Sequence, residues 1–196
     1  MKLKLFAAVS TLALSAASLA QAGPQAEVLH WWTSGGEAKS VAVLQEEFAA
    51  NGGTWTDMPV AGGGGDAAMT ALRARVLSGN APTAVQLKGP AIQEWYEEGV
   101  LADISAVAEA EGWEKVLPAS IAAHMKCEGS WCAAPVNVHR VDWLWANAEV
   151  LKANGIEMPT SWDEFNAAAD KLQAAGIIPL AHGGQAWQDA TVFEVV

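Results

Sequence analysis

Three short loops of this chain combine glycines with side chains that could bind a small polar molecule. Residues 31–37, 62–66 and 88–90 each follow a segment whose sequence predicts a β-strand. In sheets of parallel strands, ligands bind beyond the carboxyl ends of the strands, where such loops converge. Aromatic rings could cover an apolar face of the ligand, and polar side chains could hydrogen-bond its hydroxyls.

The first and third loops supply the side chains for this chemistry. Neighbours on a strand face opposite ways, so one of Trp31 and Trp32 is predicted to pack in the core and the other to face a cleft. Glu37 could accept hydrogen bonds from hydroxyls, or it could be a favourable charge in the first turn of a helix. Lys88 stands at a strand end, where its ammonium is either solvated or directed into the site.

The glycine run of the second loop has to be tested against nucleotide binding. Gly62-x-Gly64-x-x-Ala67 lies between a predicted strand and a predicted helix, which matches a loose form of the dinucleotide fingerprint. The next strand, however, ends in Gln86-Leu-Lys88 and lacks the acidic residue that would hold a ribose. We therefore expect these glycines to allow a tight turn and a close approach of the backbone to a neighbouring group.

Residues 133–147 alternate between apolar and polar side chains, which predicts a strand with one buried and one wet face. A strand that borders the core and also carries such polar groups is typical of the edge of a cleft. If the strand continues, Trp143 and Trp145 lie on the same side of it. The apolar positions are Val136, Val138 and Val141, and the polar positions are Asn137, His139 and Arg140.

Cys127 and Cys132 are the two cysteines of the chain and flank the residues Glu-Gly-Ser-Trp. In an oxidising compartment we expect a disulfide across a hairpin turn centred on Gly129. A zinc site is the alternative, but a second cysteine pair is missing, and His124 and His139 lack a recognisable ligand spacing. We therefore predict that the cysteines are structural and that the chain binds no metal.

The N-terminus has the pattern of a cleavable secretory signal peptide. Lys2 and Lys4 precede an uncharged run over residues 5–20, and a small-residue cleavage pattern ends at Ala22. We expect residues 1–22 to be removed on export, which leaves a soluble protein. A membrane anchor is the alternative, but the run is diluted by Ser and Thr, whereas a span needs about 20 strongly apolar residues.

The composition is that of an acidic globular protein rich in tryptophan. The formal net charge of −11 argues against nucleic acid or an anionic membrane surface as a partner. Hydrophobic residues make up 52% of the chain, which is enough for a substantial core. Ten tryptophans stand against one tyrosine, and so many flat amphipathic rings suit a site that stacks on the faces of sugars.

Strands and helices alternate through the first half of the chain, which predicts an α/β lobe with a largely parallel sheet. Strands are predicted over residues 27–32, 54–60 and 83–87. The helices between and after them carry on one face Val41, Leu44 and Phe48, then Met69, Leu72 and Val76, and finally Trp95.

Beyond residue 100 the pattern favours helices, with a break at Pro118. A short helix is predicted over residues 148–154. Ser161 and Glu164 have the spacing of a capping box at the start of the next helix. Residues 177–181 predict a further strand, which is followed by the beginning of a helix.

Five features of the chain occur in the order seen in the extracellular solute-binding proteins of sugar ABC transporters, which this chain resembles. They are the signal peptide and residues 31–37 (Trp-Trp-Thr-Ser-Gly-Gly-Glu), 86–90 (Gln-Leu-Lys-Gly-Pro), 134–140 (Ala-Pro-Val-Asn-Val-His-Arg) and 159–165 (Pro-Thr-Ser-Trp-Asp-Glu-Phe). A further loop, Gly-Gly-Gln-Ala-Trp at residues 183–187, looks most like the periplasmic glucose/mannose-binding branch.

The resemblance implies an α/β fold of the periplasmic-binding-protein type, with two lobes that close on a sugar by a hinge motion. Residues 23–134 would form the first lobe, residues 135–140 the inter-lobe crossing and residues 141–196 the start of the second lobe. Because family members are considerably longer, the resemblance also implies that this chain is truncated.

The resemblance further implies which side chains bind the sugar. The first lobe would contribute Trp31 or Trp32 together with Glu37 and Lys88, the hinge region Asn137, His139 and Arg140, and the second lobe Gln185 and Trp187. The implied function is that of a monomeric periplasmic component of an ABC importer. It would capture a monosaccharide of the glucose or mannose type, without a cofactor, and deliver it to inner-membrane permease subunits.

The alternative is a secreted carbohydrate-active enzyme such as a glycoside hydrolase, which needs paired carboxylates about 5–10 Å apart. Asp142, Glu149, Asp163 and Glu164 are available. Helix capping explains the last two, and Glu149 is expected on a solvated helix surface. The Gly-x-Ser-x-Gly motif of serine hydrolases is also missing. We therefore predict a binding protein rather than an enzyme.

Overall fold

A computed structural model describes residues 23–139 and 143–194 of the chain. The predicted signal peptide, residues 1–22, and the predicted site residue Arg140 lie outside the described residues, as do Val141 and Asp142. The chain divides into two compact units between residues 87 and 88.

The first unit is built on a parallel sheet of three strands, β1 (Gln25–His30), β2 (Thr54–Pro59) and β3 (Ala84–Val85). Strand β1 lies in the centre, with β2 on one side and β3 on the other. The register places Val28 of β1 opposite Asp57 of β2. The three predicted strands are confirmed, although β1 begins and ends earlier than expected and β3 is shorter.

Two helices connect these strands. Helix α1 (Gly35–Ala50) lies between β1 and β2, and a 3-10 turn (Gly63–Gly65) leads into helix α2 (Asp66–Leu77), which lies between β2 and β3. The chain moves from β1 outward to β2 and then crosses β1 to reach β3, so right-handed connections place the two helices on opposite faces. The loops after β1 and β3 therefore flank the point where the strand order reverses, which is where such sheets bind ligands.

Side chains of β1 alternate between the two faces. Glu27 forms a bidentate ion pair with Arg75 of α2, at 2.8 and 2.6 Å, and Leu29 on the same face is fully buried. On α1, Val41 is buried and Phe48 packs edge-to-face on Trp55 of β2. On β1 this alternation places Glu27 and Leu29 on the face that contacts α2, whereas α1 packs against β2.

Leu44, which shares one helical face with Val41 and Phe48 in the sequence pattern, is exposed. Leu44 lies on α1, which packs against β2. In the described part of the chain β2 is the edge strand on that side, so the helix has no further strand to cover.

The second unit is mainly helical. Its core includes Ala108, Ala122 and Trp131, with the ring of Trp113 edge-to-face on Trp131 at 5.4 Å. No helix within the two described ranges is long and apolar enough to cross a bilayer. The helices are α3 (Ala91–Glu97), α4 (Ser105–Ala110), α5 (Trp113–Val116), α6 (Ala119–His124), α7 (Ala148–Ala153), α8 (Trp162–Ala174) and α9 (Ala186–Phe193).

The predicted cysteine hairpin is confirmed. Strands β4 (Lys126–Cys127) and β5 (Ser130–Trp131) pair antiparallel, and a disulfide joins Cys127 to Cys132. Both turn residues have positive φ angles, 48° at Glu128 and 90° at Gly129, as a two-residue hairpin turn of type I′ requires. Both cysteines are buried, so the disulfide belongs to the core of this unit.

The predicted capping at Ser161 is also confirmed in its main bond. The Ser161 hydroxyl accepts a hydrogen bond from the backbone N–H of Glu164 at 3.2 Å. In a capping box the Glu164 carboxylate would accept a second hydrogen bond from the backbone N–H of Ser161. It accepts instead from the backbone N–H of Thr160, one residue earlier, at 2.7 Å. Helix α8 therefore begins where the sequence predicts.

Two predicted strands are absent from the described residues. Residues 133–139 and 143–147 carry no regular secondary structure, and Val136 and Val138 are 61% and 68% exposed instead of buried. Residues 177–181 are likewise not a strand. A strand needs a partner for its backbone hydrogen bonds, and within the described residues neither segment has one. Alternation alone was therefore an insufficient signal.

Candidate functional site

The two tryptophans after β1 have different environments. Trp32 is buried, with 7% of its surface exposed, and Trp31 is half-buried. Trp32 is therefore the member of the pair that packs in the core. Trp31 is the member that could present part of its ring to a ligand at the carboxyl end of the central strand.

Trp31 is held by residues from two neighbouring loops. Its backbone N–H donates to the side-chain oxygen of Gln86 at 3.1 Å. Its ring lies so close to Gly65 that a Cβ added there would come within 2.9–3.0 Å of three atoms of the six-membered ring. The close approach expected of the glycine run thus occurs at Gly65, and its partner is the indole of Trp31.

Glu37 and Lys88, the two charged residues predicted for this region, are both exposed. Glu37 lies in the first turn of α1, where its negative charge complements the helix dipole. The Ser34 hydroxyl donates to the Glu37 carboxylate at 3.5 Å. The structure thus leaves both predicted uses of Glu37 open, and the role of Lys88 stays a prediction.

A polar network beside this loop was not predicted from the sequence. One carboxylate oxygen of Asp57 accepts hydrogen bonds from His30 Nε2 at 2.9 Å, from Trp55 Nε1 at 3.0 Å and from Gln45 Nε2 at 3.0 Å. His30 is buried, and its Nδ1 has no hydrogen-bond partner within the described residues. The available signal was Asp57 itself, because aspartate is disfavoured inside strands.

The charge of Asp57 is stabilised by these donors. Partial burial on its own would raise the pKa of Asp57, but the hydrogen bonds from Trp55, His30 and Gln45 outweigh it and lower the pKa. The carboxylate is therefore ionised at neutral pH and holds β1, β2 and α1 together immediately before Trp31.

In the second unit, the predicted site residues Gln185 and Trp187 lie next to each other at the start of α9. The indole N–H of Trp187 donates to the Gln185 side-chain oxygen at 2.7 Å, and the Gln188 side chain accepts from the backbone N–H of Gln185. His182 and Asp189, which were not predicted, close the same loop with a contact of 2.7 Å. Contacts among its own side chains and backbone thus hold the loop that resembles the glucose/mannose-binding branch.

The predicted hinge residues lie on a segment without regular secondary structure. Asn137 and His139 are exposed there, and Arg140 lies outside the described residues. Their role in sugar binding stays a prediction.

The carboxylates considered for an enzyme have local explanations where they are described. The Glu164 carboxylate accepts hydrogen bonds from the backbone N–H and the hydroxyl of Thr160 at the start of α8, and the bond from the Thr160 backbone is the main cause of its lowered pKa. Glu149 and Asp163 lie in the first turns of α7 and α8, where negative charge complements the helix dipole. Within residues 23–139 and 143–194, no group of His, Cys, Asp and Glu is arranged to hold a metal ion.

Two curated relatives of high identity are probable sugar-binding periplasmic proteins. The one from Rhizobium meliloti (strain 1021) is 54% identical over 96% of this chain and 45% of its own length. The one from Brucella melitensis biotype 1 (strain ATCC 23456 / CCUG 17765 / NCTC 10094 / 16M) is 55% identical over 90% of this chain and 42% of its own. The chain therefore spans less than half the length of these relatives.

Solved structures show the same fold at lower identity. A chitin oligosaccharide binding protein superposes with a TM-score of 0.64 and 21% identity over 83% of this chain and 40% of that one. The predicted α/β fold of the periplasmic-binding-protein type is thereby confirmed. Residues 32–194 match the family described as bacterial extracellular solute-binding protein. On this match and on its relatives, the chain belongs to the bacterial extracellular solute-binding protein family.

Proposed function

We propose that this chain is part of the periplasmic substrate-binding component of an ABC importer. The component captures a monosaccharide of the glucose or mannose type and delivers it to a membrane permease. Family membership and relatives that are probable sugar-binding periplasmic proteins support the transport role. The choice of a monosaccharide rests on the resemblance of residues 183–187 to the glucose/mannose-binding branch.

The observation that carries the sugar-binding proposal is the placement of Trp31. A half-buried indole at the carboxyl end of a central parallel strand offers a flat apolar surface to the C–H face of a sugar. Glu37 lies in the first turn of α1, which follows this strand, and offers a carboxylate to sugar hydroxyls. A hydroxyl that loses water on binding needs such a partner, because an unpaired polar group costs about 1–3 kcal/mol when buried.

The remaining parts of the proposal follow the family pattern. Residues 1–22 direct export, and the mature protein acts in the periplasm as a monomer. Residues 23–134 form a first lobe, residues 135–140 a crossing and residues 141–196 the start of a second lobe. Lys88, Asn137, His139, Arg140, Gln185 and Trp187 complete the proposed ligand set.

Tryptophan fluorescence tests the proposal directly. The 196-residue chain, and the longest natural protein that contains it, are titrated with D-glucose, D-mannose, D-galactose and maltose. The expected result is a saturable change in tryptophan fluorescence with D-glucose or D-mannose and a weaker change with the other two sugars. A preference for maltose would contradict the monosaccharide assignment, and no response from the longer protein would contradict sugar binding.

The same samples test the enzyme alternative. Incubation with oligosaccharides should release no reducing sugar beyond that of a buffer blank. Catalytic release of reducing sugar by the purified protein would overturn the assignment as a binding protein.

A further inference from the structure

Gln86, at the end of β3, hydrogen-bonds β1 through its backbone and the loop after β1 through its side chain. Its backbone N–H donates to the carbonyl of Leu29 at 2.8 Å, which extends the parallel ladder beyond β3. Its side-chain oxygen accepts from the N–H of Trp31 at 3.1 Å. The side-chain amide therefore supplies the acceptor that a longer β3 would otherwise have supplied from its backbone.

Gly65 constrains the ring of the same tryptophan. It is buried, has a φ angle of 89° and immediately precedes α2. A Cβ at this position would lie 2.9 Å from Cε3 and 3.0 Å from Cδ2 and Cζ3 of Trp31. These are atoms of the six-membered ring, so the absence of a side chain at Gly65 sets how closely the indole approaches the backbone.

We propose that Gln86 and Gly65 are positioning residues for Trp31. Gln86 fixes the backbone from which the indole projects, and Gly65 fixes the plane in which the ring lies. The proposal rests on the proposed function, in which that ring stacks on a sugar. Stacking depends on the orientation of the ring, so residues that never touch the ligand still determine how well the sugar fits.

The acceptor role of Gln86 is tested with two substitutions of similar size. Gln86→Met removes the acceptor, whereas Gln86→Glu keeps an oxygen in its place. The protein is labelled with 5-fluorotryptophan, and the ¹⁹F resonance of Trp31 is assigned from its loss in Trp31→Phe. We expect Gln86→Met to shift or broaden this resonance and Gln86→Glu to leave it near its wild-type position. Equal shifts in both variants, or none in Gln86→Met, would overturn the role of Gln86.

The role of Gly65 is tested against a glycine with a similar backbone. Gly65→Ala and Gly79→Ala both place a side chain at a positive φ angle, 89° and 71°, but only at Gly65 would the new Cβ meet the Trp31 ring. We expect the Trp31 resonance to move in Gly65→Ala and to stay in place in Gly79→Ala. Far-ultraviolet circular dichroism identifies a variant that has lost its fold. Equal behaviour of two folded variants would overturn the role of Gly65.

Titration with D-glucose and D-mannose links the positioning role to binding. Gln86→Met should bind the sugar roughly tenfold more weakly than wild type, which is the largest loss of affinity usually caused by losing one hydrogen bond. Gln86→Glu should bind the sugar with near wild-type affinity. If neither sugar moves the Trp31 resonance in the wild-type protein, the proposed stacking of a monosaccharide on Trp31 fails. The positioning of Trp31 is then still decided by the fluorine shifts of the unliganded variants.

Discussion

The imidazole of His30 donates a hydrogen bond of 2.9 Å to the carboxylate of Asp57, across the pair of strands β1 and β2. The same carboxylate oxygen accepts from Trp55 and from Gln45 of α1. The side chain of Asp57 thus joins β1, β2 and α1 next to His30, the residue that precedes Trp31. Loss of its negative charge should loosen the unit at this point.

The first prediction concerns acid stability. The folded pKa of Asp57 lies below its ordinary value of 3.8, so its contribution to stability is present above that value and is lost as the pH falls through the lowered pKa. Asp57→Asn should be less stable at pH 7 and should show a flatter dependence of the unfolding free energy on pH in this acid range. Urea unfolding at a series of pH values measures both effects.

The exposed carboxylate of Asp170 provides the control for this experiment. Asp170→Asn should leave the unfolding free energy at pH 7 close to that of the wild type, because this side chain is exposed on α8. Parallel pH profiles for wild type and Asp57→Asn would contradict the role assigned to the network.

The second prediction concerns the disulfide. Its cysteines are only 5 residues apart, and closing so short a loop stabilises the fold by about 2 kcal/mol in the chain-entropy treatment. Replacing Cys127 and Cys132 together by Ser should therefore lower the melting temperature by about 4–8 °C. Calorimetry measures the shift, and the wild type in reductant is the matched control. Sugar affinity should hardly change, so a large loss of affinity would instead connect the hairpin with the site.

The third prediction concerns the hairpin turn, where Glu128 has a φ angle of 48°. Asparagine tolerates this left-handed conformation better than glutamate does, so Glu128→Asn should stabilise the protein by about 0.5–1 kcal/mol. Chemical denaturation checks the value, with Glu128→Ala as the control that keeps the backbone strain. An Asn variant that is less stable than the Ala variant would contradict this account.

The same substitution has a spectroscopic consequence. The negative charge of Glu128 is the main cause of the raised pKa of Tyr96, whose hydroxyl donates to that carboxylate at 3.3 Å. Glu128→Asn should return the pKa of Tyr96 toward its ordinary value. Tyr96 is the only tyrosine of the chain, so its absorbance titration is free of overlap from other tyrosines.

The fourth prediction concerns the loop before α9. If the Trp187 ring stacks on the sugar, Trp187→Ala should weaken sugar affinity by about 1–3 kcal/mol, as measured by calorimetric titration. Trp162, which is 56% exposed on α8 against 37% for Trp187, is the control. Equal losses in Trp187→Ala and Trp162→Ala would show that the Trp187 ring has no particular role in binding.

Features that depend on neighbouring residues were predictable from the sequence alone. Ser161 caps α8, and Gly129 lies in the turn of a disulfide-linked hairpin, because both arrangements are decided within a few residues. The alternation of strands and helices over residues 25–85 follows in the same way from side-chain periodicity and turn residues.

Features that join distant segments were decided only by the tertiary structure. Trp31 and Trp32 are the same residue type, and the fold alone determines that Trp32 is buried while Trp31 lies against Gly65 and Gln86. For residues 133–139 the alternating pattern favoured a strand, but a strand exists only where another backbone accepts and donates its hydrogen bonds. Periodicity describes which faces a segment could bury, whereas the partner that buries them comes from elsewhere in the chain.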